Sequence, residues 1–384
     1  MNPAPPVTNV FTRRHHSSRM DHGAGAVLPF VSVVIPVFNE ERYIRACLDS
    51  VLAQDYPHDR FEVIVADGGS ADGTRSIVES VATLHPNVRL IDNPGRTQAS
   101  GLNLAILASR GEYIARQDGH AEWTSHHLSR SIALLTESGA DNVGGRADGV
   151  GAGATGRAIA RAMQSPFGVG GARFRYSTEA EEVATVFPGT FRRSAFERVG
   201  LFDEAYPPHE DYELNDRIRA TGGRVLFSPD IPTRYYVRES LTALARQYFR
   251  YGRAKVRVAR ARPGVIRPYH LAAPALVAAV PASMLLAMTR RGRRIIVAGG
   301  AAYTAACVLA GLRAGSDQPI AVRVRLPGVF VILHVAWGSG FWVGVAEAAC
   351  GRETGGGSPP SLPPGYTRGT VRRDPRDSTS LKAL

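Results

Sequence analysis

Apolar positions change period repeatedly between Val31 and Thr74, and the changes divide that stretch into strand, helix, strand and turn. Val31–Val37 is a β-branched run that stops at Asn39. Tyr43, Ile44, Cys47, Leu48, Val51 and Leu52 then recur at i, i+3, i+4, the spacing of a helix with one buried face. Residues 61–66 (FEVIVA) are continuously apolar, as expected of a parallel strand covered on both faces, and Asp67-Gly68-Gly69-Ser70 breaks the run. In an open α/β sheet ligands sit beyond the carboxyl ends of such strands. Residues 36–40 and 67–74 are therefore expected to line one crevice.

The alternation continues downstream. Thr74–Leu84 reads as a helix, 88–91 as a third strand, 92–96 as a turn with Pro94 and Gly95, and 98–109 as an Ala- and Leu-rich helix. Residues 111–120 (GEYIARQDGH) form a strand of moderate apolarity that ends in a polar turn carrying Asp118 and His120. Two such side chains two residues apart can face one divalent cation, and a carboxylate oxygen with an imidazole nitrogen suits Mn²⁺ or Mg²⁺ bound to phosphates. A solvated turn is the competing reading. The pattern further predicts a helix over 123–136, a mobile loop over the glycine run 144–156 and a helix near 158–163. Residues 168–171 read as a flexible element, and a helix runs through Phe196 and Val199. Neither glycine run fits G-x-x-x-x-G-K-[ST], so both read as loops and not as phosphate cradles. Glu210-Asp211 opens another helical pattern, where the macrodipole favours ionised carboxylates; an ordinary capping pair is the alternative.

The character changes from Ser240. Leu241, Leu244, Ala245, Tyr248, Phe249 and Val256 keep helical spacing, while Arg246, Arg250, Arg253, Lys255, Arg257, Arg260 and Arg262 fill the remaining face. That is a basic amphipathic helix, suited to the anionic headgroup layer of a membrane. Three apolar segments follow, 271–288, 295–312 and Leu326–Ala349, of which the first carries Pro274 and Pro281 and is a candidate for a kinked or re-entrant element. Arginine clusters at 290–294 and 313–325 separate them, so neither two nor three spans satisfies the positive-inside tendency throughout.

Composition narrows the picture only where position is added. The 384 residues carry a formal net charge of +12 and a pI near 10.0, which suits nucleic acid or anionic lipid equally. The concentration of arginine beside apolar segments selects lipid, and no nucleic-acid partner is expected. Cys47, Cys307 and Cys350 form no C-x-x-C spacing, which argues against a disulfide framework and a zinc site and fits a reducing, cytosolic face. The expected organisation is a disordered leader over 1–28, an α/β domain over 29–237, an interfacial helix over 238–268, a membrane region of two or three spans over 269–350, and a disordered tail over 351–384. The cell membrane, with the α/β domain cytoplasmic, is the expected location.

From about residue 32 to 257 the chain resembles an inverting family 2 glycosyltransferase of the GT-A fold, most closely the membrane-associated enzymes of succinoglycan-type exopolysaccharide biosynthesis. The resemblance rests on Ser32-Val33-Val34-Ile35-Pro36-Val37-Phe38-Asn39-Glu40 and Asp67-Gly68-Gly69-Ser70-Ala71-Asp72-Gly73-Thr74, followed in order by Asp118-Gly119-His120 and Glu210-Asp211. It implies a Rossmann-like, mostly parallel α/β domain whose partners are a nucleotide-sugar donor and a lipid-linked or saccharide acceptor. Pro36, Asn39, Glu40, Asp67 and Asp118 would then bind the donor, and Asp118 with His120, which stands where the family's D-x-D motif has its second Asp, would hold Mn²⁺ or Mg²⁺. Asp211 would be the general base, with Glu210 its neighbour. The segment 187–193, with Gly189 and Thr190, resembles the lining of the sugar and acceptor pocket. Gln247-Tyr248-Phe249-Arg250-Tyr251 resembles the Q-x-x-R-W motif, with Tyr251 in place of Trp, which adds Gln247 and Arg250 to the donor set. Arg96, in the third loop, is a further candidate for the diphosphate or the base, with a plain surface arginine as the alternative.

The bottom-up chemistry agrees: a sugar nucleotide needs short carboxylates for its hydroxyl and imide donors and a cation for the departing diphosphate. A dinucleotide-binding oxidoreductase is disfavoured because no G-x-G-x-x-G follows the first strand. Another nucleotide-binding transferase, or a noncatalytic membrane scaffold, remains the competing class.

Overall fold

Residues 28–351 and Ser361 are described by a computed structural model; the expected leader and tail fall almost wholly outside them. In chain order, β1 (Val31–Val37), α1 (Ile44–Leu52), β2 (Phe61–Asp67), α2 (Thr74–Leu84), β3 (Val88–Asp92), α3 (Gln98–Leu107) and β4 (Tyr113–Arg116) form the alternating half. Then come β5 (Ala121–Trp123), α4 (His127–Ser138), β6 (Asn142–Gly145), β7 (Ala147–Val150), α5 (Gly153–Met163) and α6 (Pro166–Val169). The domain closes with β8 (Glu181–Glu182), β9 (Phe187–Arg192), α7 (Arg193–Val199), α8 (Glu210–Ala220), β10 (Val225–Phe227) and β11 (Thr233–Tyr236). Helices α9 (Leu241–Ala261), α10 (Tyr269–Leu286), α11 (Arg290–Ala314), α12 (Ile320–Arg323) and α13 (Leu326–Ala349) follow.

The main sheet has eight strands in the order β3-β2-β1-β4-β9-β6-β10-β8, with β5-β11-β7 as a smaller sheet beside it. β1 pairs in parallel with β2 and β4, Val37 standing opposite Asp67, while β9 runs antiparallel between β4 and β6. Alternation along β1 feeds two cores. Val33 and Ile35 pack with Ile44, Leu48 and Val51 of α1, and Val34 packs with Leu102 and Ile106 of α3, as the two faces of a covered strand require. The carboxyl ends of β1, β2 and β4 therefore open on one side, where their polar turns meet.

Three expectations are corrected. The helix expected over 123–136 begins at His127, because Trp123 belongs to β5 and stacks on the His127 ring at 4.3 Å. The glycine run expected as a mobile loop is instead β6, β7 and the start of α5. Glycine is demanded there by close approach: a Cβ on Gly145 would collide with the Ile231 carbonyl oxygen, and one on Gly144 would collide with Val186. In 168–171, Gly168 and Val169 complete α6, whose Ser165 side chain accepts from the Phe167 amide.

Three C-terminal helices are long and apolar enough to cross a membrane, and α10 continues through Pro274 and Pro281. α13 is packed lengthwise on α9 and also meets α5. Its Val329, Phe330 and Leu333 share a core with Ala158, Ile159 and Met163 of α5 and with Leu244 and Tyr248 of α9. His334 Nε2 donates to the Phe167 carbonyl at 2.7 Å. Beyond that point α13 and α9 touch through backbone: a Cβ on Gly252 would meet the Trp337 carbonyl, and one on Gly340 the Phe249 carbonyl. Small residues admit this approach, as between helices in lipid. The basic face of α9 is accordingly not all turned outward. Lys255 is buried, Arg253 pairs with Glu347 of α13 at 2.7 Å, and Arg262 reaches Glu213 at 3.2 Å. Helical periodicity counts these side chains as polar without showing that carboxylates and a ring wait on the inner side.

Candidate active site

The first two loops are stitched into one wall. Asn39 adopts φ 56°, a left-handed conformation that asparagine tolerates. Its amide donates to Ser70 Oγ at 2.9 Å and its Oδ1 accepts from the Ala71 amide at 2.8 Å. The Glu40 amide donates to Thr74 Oγ1 at 2.7 Å. Asp67, only 2% exposed at the end of β2, accepts from Ser70 Oγ at 2.6 Å and lies 3.5 Å from Arg75 Nη1. Pro36 is buried within β1 opposite Ala66. Arg96 (φ 54°) is exposed and stretches over Gly69, whose added Cβ would stand 3.3 Å from a guanidinium nitrogen. Five of the expected donor residues thus border the same opening, each held by backbone or loop hydrogen bonds or by strand pairing; the Arg96 amide donates to the Asn93 carbonyl at 3.1 Å, while its exposed guanidinium forms no hydrogen bond among the described residues.

At the end of β4 the structure adds residues that sequence reasoning missed. Asp118 Oδ1 accepts from Gln98 Nε2, at the start of α3, and from Arg116 Nε, each at 3.1 Å. Arg116, 6% exposed, also brings Nη1 to 3.7 Å from Glu210 Oε1. One guanidinium therefore joins Asp118-Gly119-His120 to Glu210-Asp211. A signal was present: Arg116 stands two residues before Asp118, so both side chains leave the strand on one face, and a cation in a central strand must be paired.

Glu210, 2% exposed, opens α8 and leaves Oε2 without a hydrogen-bond partner. Asp211, half-buried, accepts from the Tyr212 amide at 2.7 Å. Burial pushes both carboxyls above their usual range, Arg116 pulls them back, and the Asp118 charge adds to the rise. Lys255 of α9 lies 3.5 Å over the Tyr212 ring, and burial lowers its ammonium to about 7 against the attraction of Asp211.

His120 faces Glu40, with Nδ1 2.8 Å from Oε1. Burial lowers its basicity, but the bond to Glu40 and the charges of Glu40 and Asp118 outweigh burial and raise it. With Nδ1–H directed to a carboxylate, Nε2 keeps its lone pair, the arrangement that orients a metal-ligating imidazole. Among the described residues no group of three His, Cys, Asp or Glu side chains is placed to hold an ion. Asp118 and His120 therefore supply two ligands at most, which fits a hard cation that draws its remaining ligands from a diphosphate and water.

The remaining expected residues are spread wider. Thr190 is buried inside the sheet opposite Ala115, and Gly189 lies one step nearer the crevice. Gln247 is buried and donates to Tyr251 Oη at 3.0 Å and Tyr235 Oη at 3.5 Å. Tyr235 in turn packs on the His120 ring at 5.3 Å, so Gln247 reaches the crevice through an intermediary. Arg250 lies outside this network, exposed on a groove between α9 and α13.

Comparison with known proteins bears on the family and the fold. The pattern of Glycosyl transferase family 2 matches residues 32–200. The succinoglycan biosynthesis protein ExoA of Rhizobium meliloti (strain 1021) is 31% identical over 317 residues, covering 81% of this chain and 93% of that protein. A dolichyl N-acetyl-alpha-D-glucosaminyl phosphate 3-beta-D-2,3-diacetamido-2,3-dideoxy-beta-D-glucuronosyltransferase of Methanococcus voltae is 29% identical over 234 residues, covering 59% of this chain and 73% of that one. Among solved structures, the mannosyltransferase PcManGT from Pyrobaculum calidifontis, in complex with GDP-Man and Mn²⁺, shares the fold with a TM-score of 0.57 at 21% identity, over 82% of this chain and 88% of that one.

Proposed function

The chain belongs to glycosyltransferase family 2, and from that premise we propose that it is an inverting enzyme moving a sugar from a nucleotide-diphosphate donor to a lipid-linked or polysaccharide acceptor at the cytoplasmic membrane face. Asp67 and the loop around Asn39 offer hydrogen-bond acceptors to the ribose and base, and Arg96 offers a cation to the diphosphate. A divalent ion bound by Asp118 and His120 would neutralise charge on the departing diphosphate. Asp211 takes the proton of the acceptor hydroxyl as that oxygen bonds to the anomeric carbon and the bond from that carbon to the diphosphate breaks, so configuration inverts without a covalent enzyme intermediate. Burial raises the carboxyl of this base above its usual range, and the Arg116 charge opposes the rise.

The observation that carries this reading is the bridge from Asp118 through Arg116 to Glu210. It supports one crevice in which leaving group and base face the same reacting carbon. The test is Asp211→Asn, which keeps size and capping capacity but removes the proton acceptor. Transfer should fall by roughly two to four orders of magnitude while nucleotide-diphosphate binding, followed by calorimetry on the same detergent-purified protein, stays near wild type. Wild-type transfer by the variant would put the base elsewhere. A wild-type chain that binds no nucleotide would turn the reading to a scaffold.

A further inference from the structure

The donor chemistry leaves one large feature unused. Between α9 and α13 lies a groove of about 940 Å³, with Arg238, Arg246 and Arg250 on one side and Val331, Ile332 and Val335 on the other. The three guanidiniums are exposed and form no hydrogen bond or ion pair among the described residues. Arg246 and Arg250 stand four residues apart, one helical turn, and so present their charges side by side. Val331 and Val335, also one turn apart, are 38% and 43% exposed on a helix apolar enough to cross a membrane. A cationic rim over an uncovered hydrocarbon wall complements a ligand with an anionic head and a long aliphatic chain.

The place of the rim narrows the ligand. Arg238 follows Tyr236 by two residues, and the Tyr236 amide bonds the His120 carbonyl at 3.2 Å. Gln247, three residues before Arg250, donates to Tyr235, whose ring packs on His120. The groove therefore borders the crevice in which donor and acceptor must meet, whereas a bulk anionic lipid could be held anywhere along a basic interfacial helix. A single phosphodiester also carries one charge, fewer than three unpaired guanidiniums can answer.

We propose that this groove seats the lipid-phosphate end of the acceptor, a long-chain alcohol phosphate or diphosphate whose hydrocarbon lies on α13 and whose phosphate lies under Arg238, Arg246 and Arg250. The proposal rests on the transferase reading and specifies the acceptor class for it. The phosphate fixes the distal sugar hydroxyl at the crevice, so the anchor acts by positioning and not by chemistry.

The test uses the full chain in detergent and a polyprenyl monophosphate as probe, with binding read by native mass spectrometry and phosphatidylglycerol as competitor. Wild type should retain the probe against a tenfold excess of phosphatidylglycerol. Arg246→Gln, an exposed change, and Val335→Trp, which fills the groove, should each weaken probe binding about tenfold or more while leaving nucleotide-diphosphate binding intact. Unchanged probe affinity in both variants overturns the site. Displacement of the probe by phosphatidylglycerol at equal concentration overturns the assignment in favour of ordinary membrane lipid. The nucleotide titration keeps the two claims apart: its loss in wild type with probe binding intact removes the transferase reading and leaves a lipid-phosphate groove.

Discussion

Arg116 lies between two acidic motifs that are distant in the chain, with Nε 3.1 Å from Asp118 Oδ1 and Nη1 3.7 Å from Glu210 Oε1. Arg116→Gln would leave those buried carboxylates facing one another without a cation. Breaking a buried pair this way costs about 3–5 kcal/mol of stability. Because Arg116 holds the carboxyls of Glu210 and Asp211 down, its loss raises them, and the ascending limb of the pH–kcat/KM profile should move to higher pH. An unshifted limb would show that these carboxylates do not govern the rate.

Glu40 orients His120 across the two loops at 2.8 Å. Removing such a partner from a metal-ligating imidazole typically weakens metal binding about 10- to 100-fold. Glu40→Gln should lower Mn²⁺ affinity in that range, read by electron paramagnetic resonance titration, and excess chelator should stop transfer by the wild type. Equal Mn²⁺ affinity in the two proteins would show that the Glu40 charge does not tune His120 as a ligand.

His127 is a core residue stacked on Trp123, and burial lowers it from 6.5 to about 3. Between those values the unfolded chain binds a proton that the folded chain refuses. Stability therefore falls as pH drops below about 6.5, by at most ~1.4 kcal/mol per pH unit from this group, and the loss levels off near the folded value. His209, lowered to about 4 by burial and the nearby Lys255 charge, acts in the same direction. Comparing melting temperatures at pH 7.5 and pH 5, His127→Phe should show a smaller drop than wild type.

Two glycines in one neighbourhood should respond differently. Gly139 takes φ +68° at the end of α4 with nothing within 4 Å of an added Cβ, so Gly139→Ala should cost only about 1–2 kcal/mol, from strain alone. Gly145→Ala would drive its methyl into the Ile231 carbonyl and push apart β6 and the segment leading to β11. A loss of folded protein, seen by size-exclusion chromatography, is expected only for the second.

How far the sequence could be read depends on whether an interaction is local. The period switches around Asn39 and Asp67 marked both loops, because strand and helix periodicity are properties of neighbouring residues, and Asp118, His120, Glu210 and Asp211 all fall at element ends. The Glu40–His120 pair and the reach of Arg116 to Glu210 were not legible, since each joins residues 80 or more positions apart, and only the local half of the bridge, Arg116 beside Asp118, left a signal. Gly144 and Gly145 read as loop because glycine carries no hydrophobic pattern, although collisions with Val186 and Ile231 are what require it. Lys255 read as part of a basic face turned to lipid headgroups because periodicity does not reveal the Tyr212 ring beneath it.

The lengthwise seat of α13 bears on how the enzyme can be handled and how it assembles. A chain stopped at residue 267 would bare Leu244 and Tyr248 of α9, together with Ala158, Ile159 and Met163 of α5, all of which share one core with Phe330. It would also strip Arg253 of Glu347 and leave Gly252 facing solvent where the Trp337 backbone had lain. The two cores around the main sheet hold no residue of α13, whereas the third, over α5 and α9, closes only when α13 docks, so excising the domain would leave that one face open.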